Sequence, residues 1–170
     1  IKGIPKLIWA GTEHNCDALI LDLLGKDLAT LLKNHKRFSL KSIILLANQL
    51  IPLLEQTHEK NIIHRDIKPE NILMGRSEKA NKVYLLDFGI SKFYRDTHGR
   101  HIIFRENKPF IGTTRYASIS SHKGIELSRR DDLESLGYMF LFLYNGTLPW
   151  QNLNVSEKDK NKLVGAMKEK

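Results

Sequence analysis

The 170-residue sequence contains a single cysteine, Cys16, so it can form no internal disulfide and offers no paired-cysteine metal motif. That shortage suits a reducing cytosolic or nuclear setting, and a buried thiol is the expected state of Cys16. Long apolar runs are missing as well. The longest, Tyr138 to Tyr144, falls far short of the roughly 18 residues that would argue for a membrane span. The opening Ile1-Lys2-Gly3-Ile4-Pro5 has no initiator Met and no basic stretch leading into an apolar run. No secretory signal is visible, and the chain reads as one joined in mid-domain. None of the eleven glycines falls in a G-x-G-x-x-G pattern, so the usual glycine-rich cradle for nucleotide phosphates is absent. Internal repeats and low-complexity tracts are absent too.

Acidic residues are scarce in one region. Between Arg95 and Arg130 stand eight bases (Arg95, Arg100, Arg105, Lys108, Arg115, Lys123, Arg129, Arg130) and three acids (Asp96, Glu106, Glu126), within a chain of formal net charge +8. The excess marks a site for an anion, which an acidic or phosphorylated peptide or a nucleic acid could satisfy. The segment lacks interleaved aromatics in a recognised motif, so nucleic acid is not the expected partner. His98 and His101 have no cysteines or acids at ligand spacing and are expected as solvated loop histidines.

What is present has globular composition, 41% hydrophobic and 27% charged, and suffices for one sizeable core. Leu7–Thr12 and Ala18–Leu23 read as a strand hairpin broken by Gly11 and Glu13-His14-Asn15. A short helix is expected over Asp27–Lys33 with Asp27 as N-cap. A longer one should run from Ser39 to about Glu59, with Leu40, Ile43, Ile44, Ala47, Leu50, Ile51 and Leu54 on its apolar face and a bend at Pro52. Two brief strands, Asn71–Met74 and Val83–Leu86, flank the polar turn Gly75–Lys82. The weakly patterned stretch Asp87–Glu126 is long enough to be functional rather than filler. A second apolar helix, Asp131–Tyr144, should face inward through Leu133, Leu136, Gly137, Phe140 and Leu141, and the Lys-rich tail Glu157–Lys170 reads as a solvated helix.

The segment Ile63-His64-Arg65-Asp66-Ile67-Lys68-Pro69-Glu70-Asn71 carries the chemistry. It matches a phosphoryl-transfer catalytic loop, His-Arg-Asp with Asn five residues after the Asp. Phosphoryl transfer requires mainly positioning and charge neutralisation. Asp66 would accept the proton of a substrate hydroxyl, Lys68 would place positive charge on the transferring phosphate, and Asn71 offers an oxygen ligand to Mg²⁺. Asp87-Phe88-Gly89, directly behind Tyr84-Leu85-Leu86, supplies a carboxylate at a strand end, as a metal-bridging Asp-Phe-Gly requires. Either tripeptide alone is weak; their order and spacing make the pair specific.

Beyond these, Asp22-Leu23-Leu24-Gly25, Asp66-Ile67-Lys68-Pro69-Glu70-Asn71-Ile72-Leu73-Met74-Gly75, Tyr94-Arg95-Asp96, Arg105-Glu106-Asn107-Lys108, Gly112-Thr113-Thr114-Arg115-Tyr116-Ala117-Ser118 and Ser128-Arg129-Arg130-Asp131-Asp132-Leu133-Glu134-Ser135-Leu136-Gly137-Tyr138 closely resemble the casein kinase 1 group of serine/threonine protein kinases. The resemblance runs from about Gly3 to Leu153. Where most kinases close this segment with Ala-Pro-Glu, that group has Ser-Ile-Asn; here Ser118-Ile119-Ser120 departs at the third position.

The resemblance implies an α+β, protein-kinase-like fold: the end of the N-terminal lobe (1–22), a hinge (23–26) and part of the helical C-terminal lobe (27–170). It implies Leu21 as gatekeeper, backbone groups of Asp22 to Leu24 against adenine, and Leu73 and Leu86 lining the same pocket. Arg115 would hold an acidic or phosphorylated group of the substrate, with a structural ion pair as the alternative. Arg65 and Asp132 would be supports, Asp132 as the buried Asp that holds the catalytic-loop backbone. Lys160 and Lys162 lie where the group often adds a second basic contact, although a solvated face is the simpler expectation. ATP and Mg²⁺ follow as cofactors and proteins with acidic or phosphorylated motifs as partners. The Gly-rich loop, the strand Lys, the helix Glu that holds it and further C-terminal helices are not found, so a piece of a kinase domain is expected, with little turnover in isolation. The alternative is a catalytically impaired kinase fold that scaffolds partners through its basic face.

Overall fold

In the computed structural model the backbone is described throughout, as is every side chain except those at positions 157 and 158. The chain opens with an antiparallel hairpin, β1 (Leu7–Glu13) and β2 (Cys16–Leu21). His14 and Asn15 form its tip with φ of 49° and 60°, the left-handed pair that matches hairpin twist. Cys16 lies beside that tip and is exposed, because the hairpin reaches away from the core; the buried thiol expected from the sequence is not found.

Helix α1 (Leu28–His35) starts where Asp27 accepts the Thr30 N–H at 2.8 Å, and α2 (Leu40–Glu59) where Ser39 accepts that of Ser42 at 3.1 Å. Both are the expected side-chain caps for otherwise unpaired amides. Helix α2 continues through Pro52, which stands on its exposed side. Four short strands follow in two antiparallel pairs: β3 (Ile62–Ile63) with β6 (Lys92–Phe93), and β4 (Ile72–Met74) with β5 (Val83–Leu85). The β4–β5 pair matches expectation, whereas β3–β6 is too short to leave a pattern. After β6 the chain has little regular structure until α3 (Ile119–His122), α4 (Arg129–Asn145) and α5 (Glu157–Lys168).

The core lies where α1, α2, β4, β5 and α4 meet: Leu28, Leu50, Leu54, Ile72, Leu85, Met139 and Leu143 are among its most buried side chains. Two helix faces differ from expectation. Helix α2 buries Leu46, Leu50, Leu53, Leu54, Thr57 and His58, leaving Leu40, Ile44 and Ile51 at least half exposed. Helix α4 buries Asp131, Asp132, Ser135, Leu136, Met139, Phe142 and Leu143, leaving Leu133 and Leu141 near half exposure and Gly137 at the surface. The reason is chemical: the inward face of each helix carries buried polar residues, among them His58 and Asp132, which bond each other, so apolarity alone points to the wrong stripe. Helix α5 corrects a third expectation. Val164 is 1% exposed and Gly165 is packed so tightly on His122 that an added Cβ would come within 2.7 Å of it; the tail helix is docked rather than solvated.

No helix among the described residues is long and apolar enough to cross a membrane.

Candidate active site

The register of the β4–β5 pair sets the site. Ile72 faces Leu85, and the Leu86 N–H donates to the Asn71 carbonyl at 2.9 Å. The residues just before β4 and just after β5 therefore emerge at the same end, which brings the Asp66–Asn71 loop alongside Asp87.

The loop is held by buried polar groups. Asp132, 1% exposed on α4, accepts the backbone N–H groups of His64 and Arg65 through its two oxygens, both at 2.8 Å. It also accepts the His58 Nε2–H at 2.7 Å. A carboxylate at this depth is tolerable because its lone pairs are met. His64, wholly buried, donates from Nε2 to the Leu86 carbonyl at 2.9 Å and accepts the Asp66 N–H at Nδ1. Burial lowers its pKa, which keeps the imidazole neutral, as one donor and one acceptor require. Arg65 sits at φ 71° and donates from Nε to the Ile90 carbonyl at 2.6 Å, tying the loop to the segment behind Asp87-Phe88-Gly89. Asp132 and Arg65, expected as supports, make these bonds.

Around Asp66 the side chains converge. Lys68 Nζ lies 2.6 Å from its Oδ2, Thr113 Oγ1 donates to its Oδ1 at 2.7 Å, and Asn71 Nδ2 donates to its backbone carbonyl at 2.9 Å. Asn71 is 6% exposed; with Nδ2 turned to the loop, its amide oxygen is the atom presented to the opposite side. Asp87 is exposed at φ 63°, its Oδ1 accepting the Gly89 N–H at 3.2 Å. Left-handed backbone at both Arg65 and Asp87, neither a glycine, is the local strain that collects at functional sites. An amide oxygen and a carboxylate suit a hard cation such as Mg²⁺, which takes few protein ligands and fills its shell from phosphates and water.

The residues expected to bind adenine sit at the junction of hairpin and core. Leu21 ends β2 and pairs with Leu7, while Asp22 is stitched to Lys6 by its own N–H and by its carboxylate. The 23–26 segment is sewn to β4: the Gly25 N–H donates to the Met74 carbonyl at 2.8 Å and the Met74 N–H to that of Lys26 at 3.0 Å. A Cβ on Gly25 would lie 2.8 Å from the Gly75 oxygen, so only glycine permits this approach. Leu24, Leu73 and Leu86 are each half-buried.

Arg115 lies elsewhere, beyond Thr113. Its guanidinium is 4.9 Å from the centre of the Phe142 ring, and with Thr113, Thr114, Asn152 and Lys160 it lines a cavity of about 400 Å³. No carboxylate pairs with Arg115 among the described residues; its structural contacts are rings. Elsewhere in the basic stretch the charges are largely engaged. Glu126 takes Lys92 at 2.7 Å and Lys108 at 3.5 Å; burial pushes its carboxyl up, but the two lysines more than offset that and lower its pKa. Arg100 pairs with Asp96 at 2.9 Å, and Arg129 lies over Tyr94 at 4.8 Å. His98 and His101 are exposed, as expected of loop histidines.

Sequence reasoning missed three contributors. Thr113 stands within a motif that carries the family resemblance, but nothing in its type indicates a bond to Asp66. Nothing in the type or position of His58 sets it apart from the rest of an amphipathic helix. Lys168 lies in the tail expected to face solvent, yet its ammonium is buried against backbone carbonyls. Lys160 lines the cavity beside Arg115, whereas Lys162 is exposed.

A sequence model of the protein kinase domain matches residues 3–169, nearly the whole chain. Its mixed helices and small antiparallel strands agree with an α+β kinase fold, and the chain belongs to the protein kinase domain family.

Proposed function

We propose that the protein is a serine/threonine kinase of the casein kinase 1 type, transferring phosphate from ATP to acidic or already phosphorylated protein sites. The observation that carries this reading is the setting of Asp66, flanked by Lys68 at 2.6 Å and by Thr113 at 2.7 Å, with Asn71 bonded to the same loop at 2.9 Å. Residues 1–22, 23–26 and 27–170 would serve as the end of the N-terminal lobe, the hinge and part of the C-terminal lobe.

In this mechanism an acceptor hydroxyl approaches Asp66, displacing the Thr113 hydroxyl from Oδ1. As the hydroxyl oxygen bonds to the γ-phosphorus, its proton passes to the Asp66 carboxylate, and the bond from that phosphorus to the bridging oxygen breaks to release ADP. Lys68, already beside Asp66, offsets negative charge gathering on the transferred group. Asn71 and Asp87 would hold Mg²⁺, whose contribution when bound is to neutralise phosphate charge. Leu21, Asp22, Leu24, Leu73 and Leu86 would enclose the adenine. Arg115 would receive the acidic group of the substrate, for which a planar, permanent cation is well suited; among the described residues no carboxylate is within ion-pair distance of it, although Glu70 lines the same cavity.

The test is phosphate incorporation by the full-length protein into an aspartate-rich peptide and its alanine counterpart, beside Asp87→Asn. We expect incorporation to fall about 10²- to 10³-fold in the variant, the scale for losing one electrostatic contact of a transition state, and to favour the acidic peptide. Equal incorporation by variant and parent would sink the enzymatic reading in favour of a kinase-fold scaffold, and equal use of the two peptides would remove the acidic preference.

A further inference from the structure

Helix α5 does more than cover the core. Its Lys168 passes between two aromatic rings, Nζ lying 4.7 Å from the centre of Tyr138 and 5.1 Å from that of Trp150. The ammonium ends against backbone, donating to the Thr114 carbonyl at 2.9 Å and the Ala117 carbonyl at 2.6 Å. Trp150 Nε1 donates to the carbonyl between them, that of Arg115, at 2.8 Å. A fourth tie runs from the Thr114 hydroxyl to the Asn161 amide oxygen at 2.5 Å. The 114–117 segment is thus gripped from behind on both sides of Arg115. Lys168 has no carboxylate within ion-pair distance among the described residues; Glu134, whose charge acts on it, is bonded to the Ile119 N–H and the Tyr138 hydroxyl, each at 2.8 Å. A buried ammonium facing carbonyls is costly unless those bonds matter.

We propose that Lys168 is a positioning residue for substrate selection: by fixing the carbonyls of Thr114 and Ala117 it sets where the Arg115 guanidinium stands in the 400 Å³ cavity. This rests on the reading of Arg115 as the acceptor of the substrate's acidic group. It assigns to α5 a function in place of the Ala-Pro-Glu closure that this segment lacks: Ile119 is held by Glu134 and the stretch before it by Lys168.

The test uses the full-length protein and steady-state kinetics on the aspartate peptide and its alanine counterpart. K168M should raise KM for the aspartate peptide at least about tenfold, the scale of a hydrogen bond to a charged group, with KM for ATP and kcat/KM for the alanine peptide changing less than threefold. K168R, which keeps the charge and the donors, should recover most of the loss. R115A separates the two levels. If R115A leaves KM for the aspartate peptide unchanged, the anion-site reading falls and this inference with it. If R115A raises that KM and K168M does not, the inference alone is overturned; equal losses on both peptides in K168M also overturn it.

A pH profile keeps the proposal testable should K168M not fold. Burial pulls the Lys168 ammonium down to about 7. Facing it are the His122 imidazole, held down to about 4 by burial and by Lys168 itself, the Glu134 carboxylate, and the Tyr138 hydroxyl, whose pKa burial raises. Between pH 6 and 8 the Lys168 charge should therefore be lost, and KM for the aspartate peptide should rise across that window in the parent but not in K168R. A flat parent profile, or the same rise in K168R, would overturn it.

Discussion

Two stretches of backbone meet at Asp66, and they are secured by opposite means. The catalytic loop presents N–H groups to the interior, and the buried Asp132 carboxylate receives those of His64 and Arg65. The 114–117 segment presents carbonyls, and the Lys168 ammonium supplies them with donors. In each case a charge on a helix satisfies the main chain of a loop that has no strand partner there. The loops differ in how deeply the charge lies and how fully it is matched. Asp132 is almost completely enclosed and has three donors, whereas Lys168 is half-buried and its proton is held less firmly than an ordinary lysine's. The loop that carries Asp66 is accordingly the more deeply and fully matched of the two, and the 114–117 segment the less.

The harshest way to break this contrast is to remove the deeper charge. Asp132→Ala would leave two backbone N–H groups and the His58 donor buried without an acceptor. The expected loss is about 3–5 kcal/mol, the scale for removing one partner of a buried ionic cluster. Urea unfolding of the full-length protein measures it; a loss below about 1 kcal/mol would mean that the loop does not depend on Asp132.

A milder probe acts where the two stretches touch. Gly112 has φ of 97°, and a Cβ there would come within 2.8 Å of the Arg65 carbonyl oxygen. Gly112→Ala should cost about 1–3 kcal/mol of backbone strain and push the catalytic loop away from Thr113. We expect a lower kcat with KM for ATP little changed. An alanine variant with the parent's kcat and melting temperature would show that the contact is slack.

How far these features could be read in advance depends on whether a residue's task leaves a trace in its type. Asp66, Asn71 and Asp87 stand in motifs whose spacing is dictated by phosphoryl chemistry, and the structure gathers their segments at one strand end. Asp27 and Ser39 announced their helices because capping needs a short polar side chain. The faces of α2 and α4 were misread because Asp131, Asp132, Ser135, Thr57 and His58 are buried. Apolar periodicity cannot register a buried polar residue, whether its partner is distant, as between His58 and Asp132, or local, as for Thr57 and the Leu53 carbonyl. Helix α5 escaped for the same reason: a lysine whose ammonium caps carbonyls some fifty residues earlier has the same spelling as one in water. The pair β3–β6 holds two residues per strand, too few for alternation to appear.

The smallest expected effect sharpens the contrast through pH. His122 lies against Lys168 at 3.1 Å and beside Phe110, ring centres 5.2 Å apart, with its Nδ1 buried and unpartnered. Burial, then the neighbouring ammonium, holds its pKa down to about 4 from an ordinary 6.5. Between those values the unfolded chain binds the proton that the folded chain refuses, so stability must rise with pH across that window and fall as acid is added. Acidification from pH 6.5 to 4 should therefore loosen the α3–α5 contact and with it the 114–117 segment that Lys168 holds. Melting temperatures of the parent and of His122→Phe across this range provide the comparison. The parent should lose stability more steeply, because the phenyl ring fills the same space beside Phe110 without a proton to take up. Parallel slopes would show that His122 is reached by solvent and that the 114–117 segment is as insensitive to acid there as any surface loop.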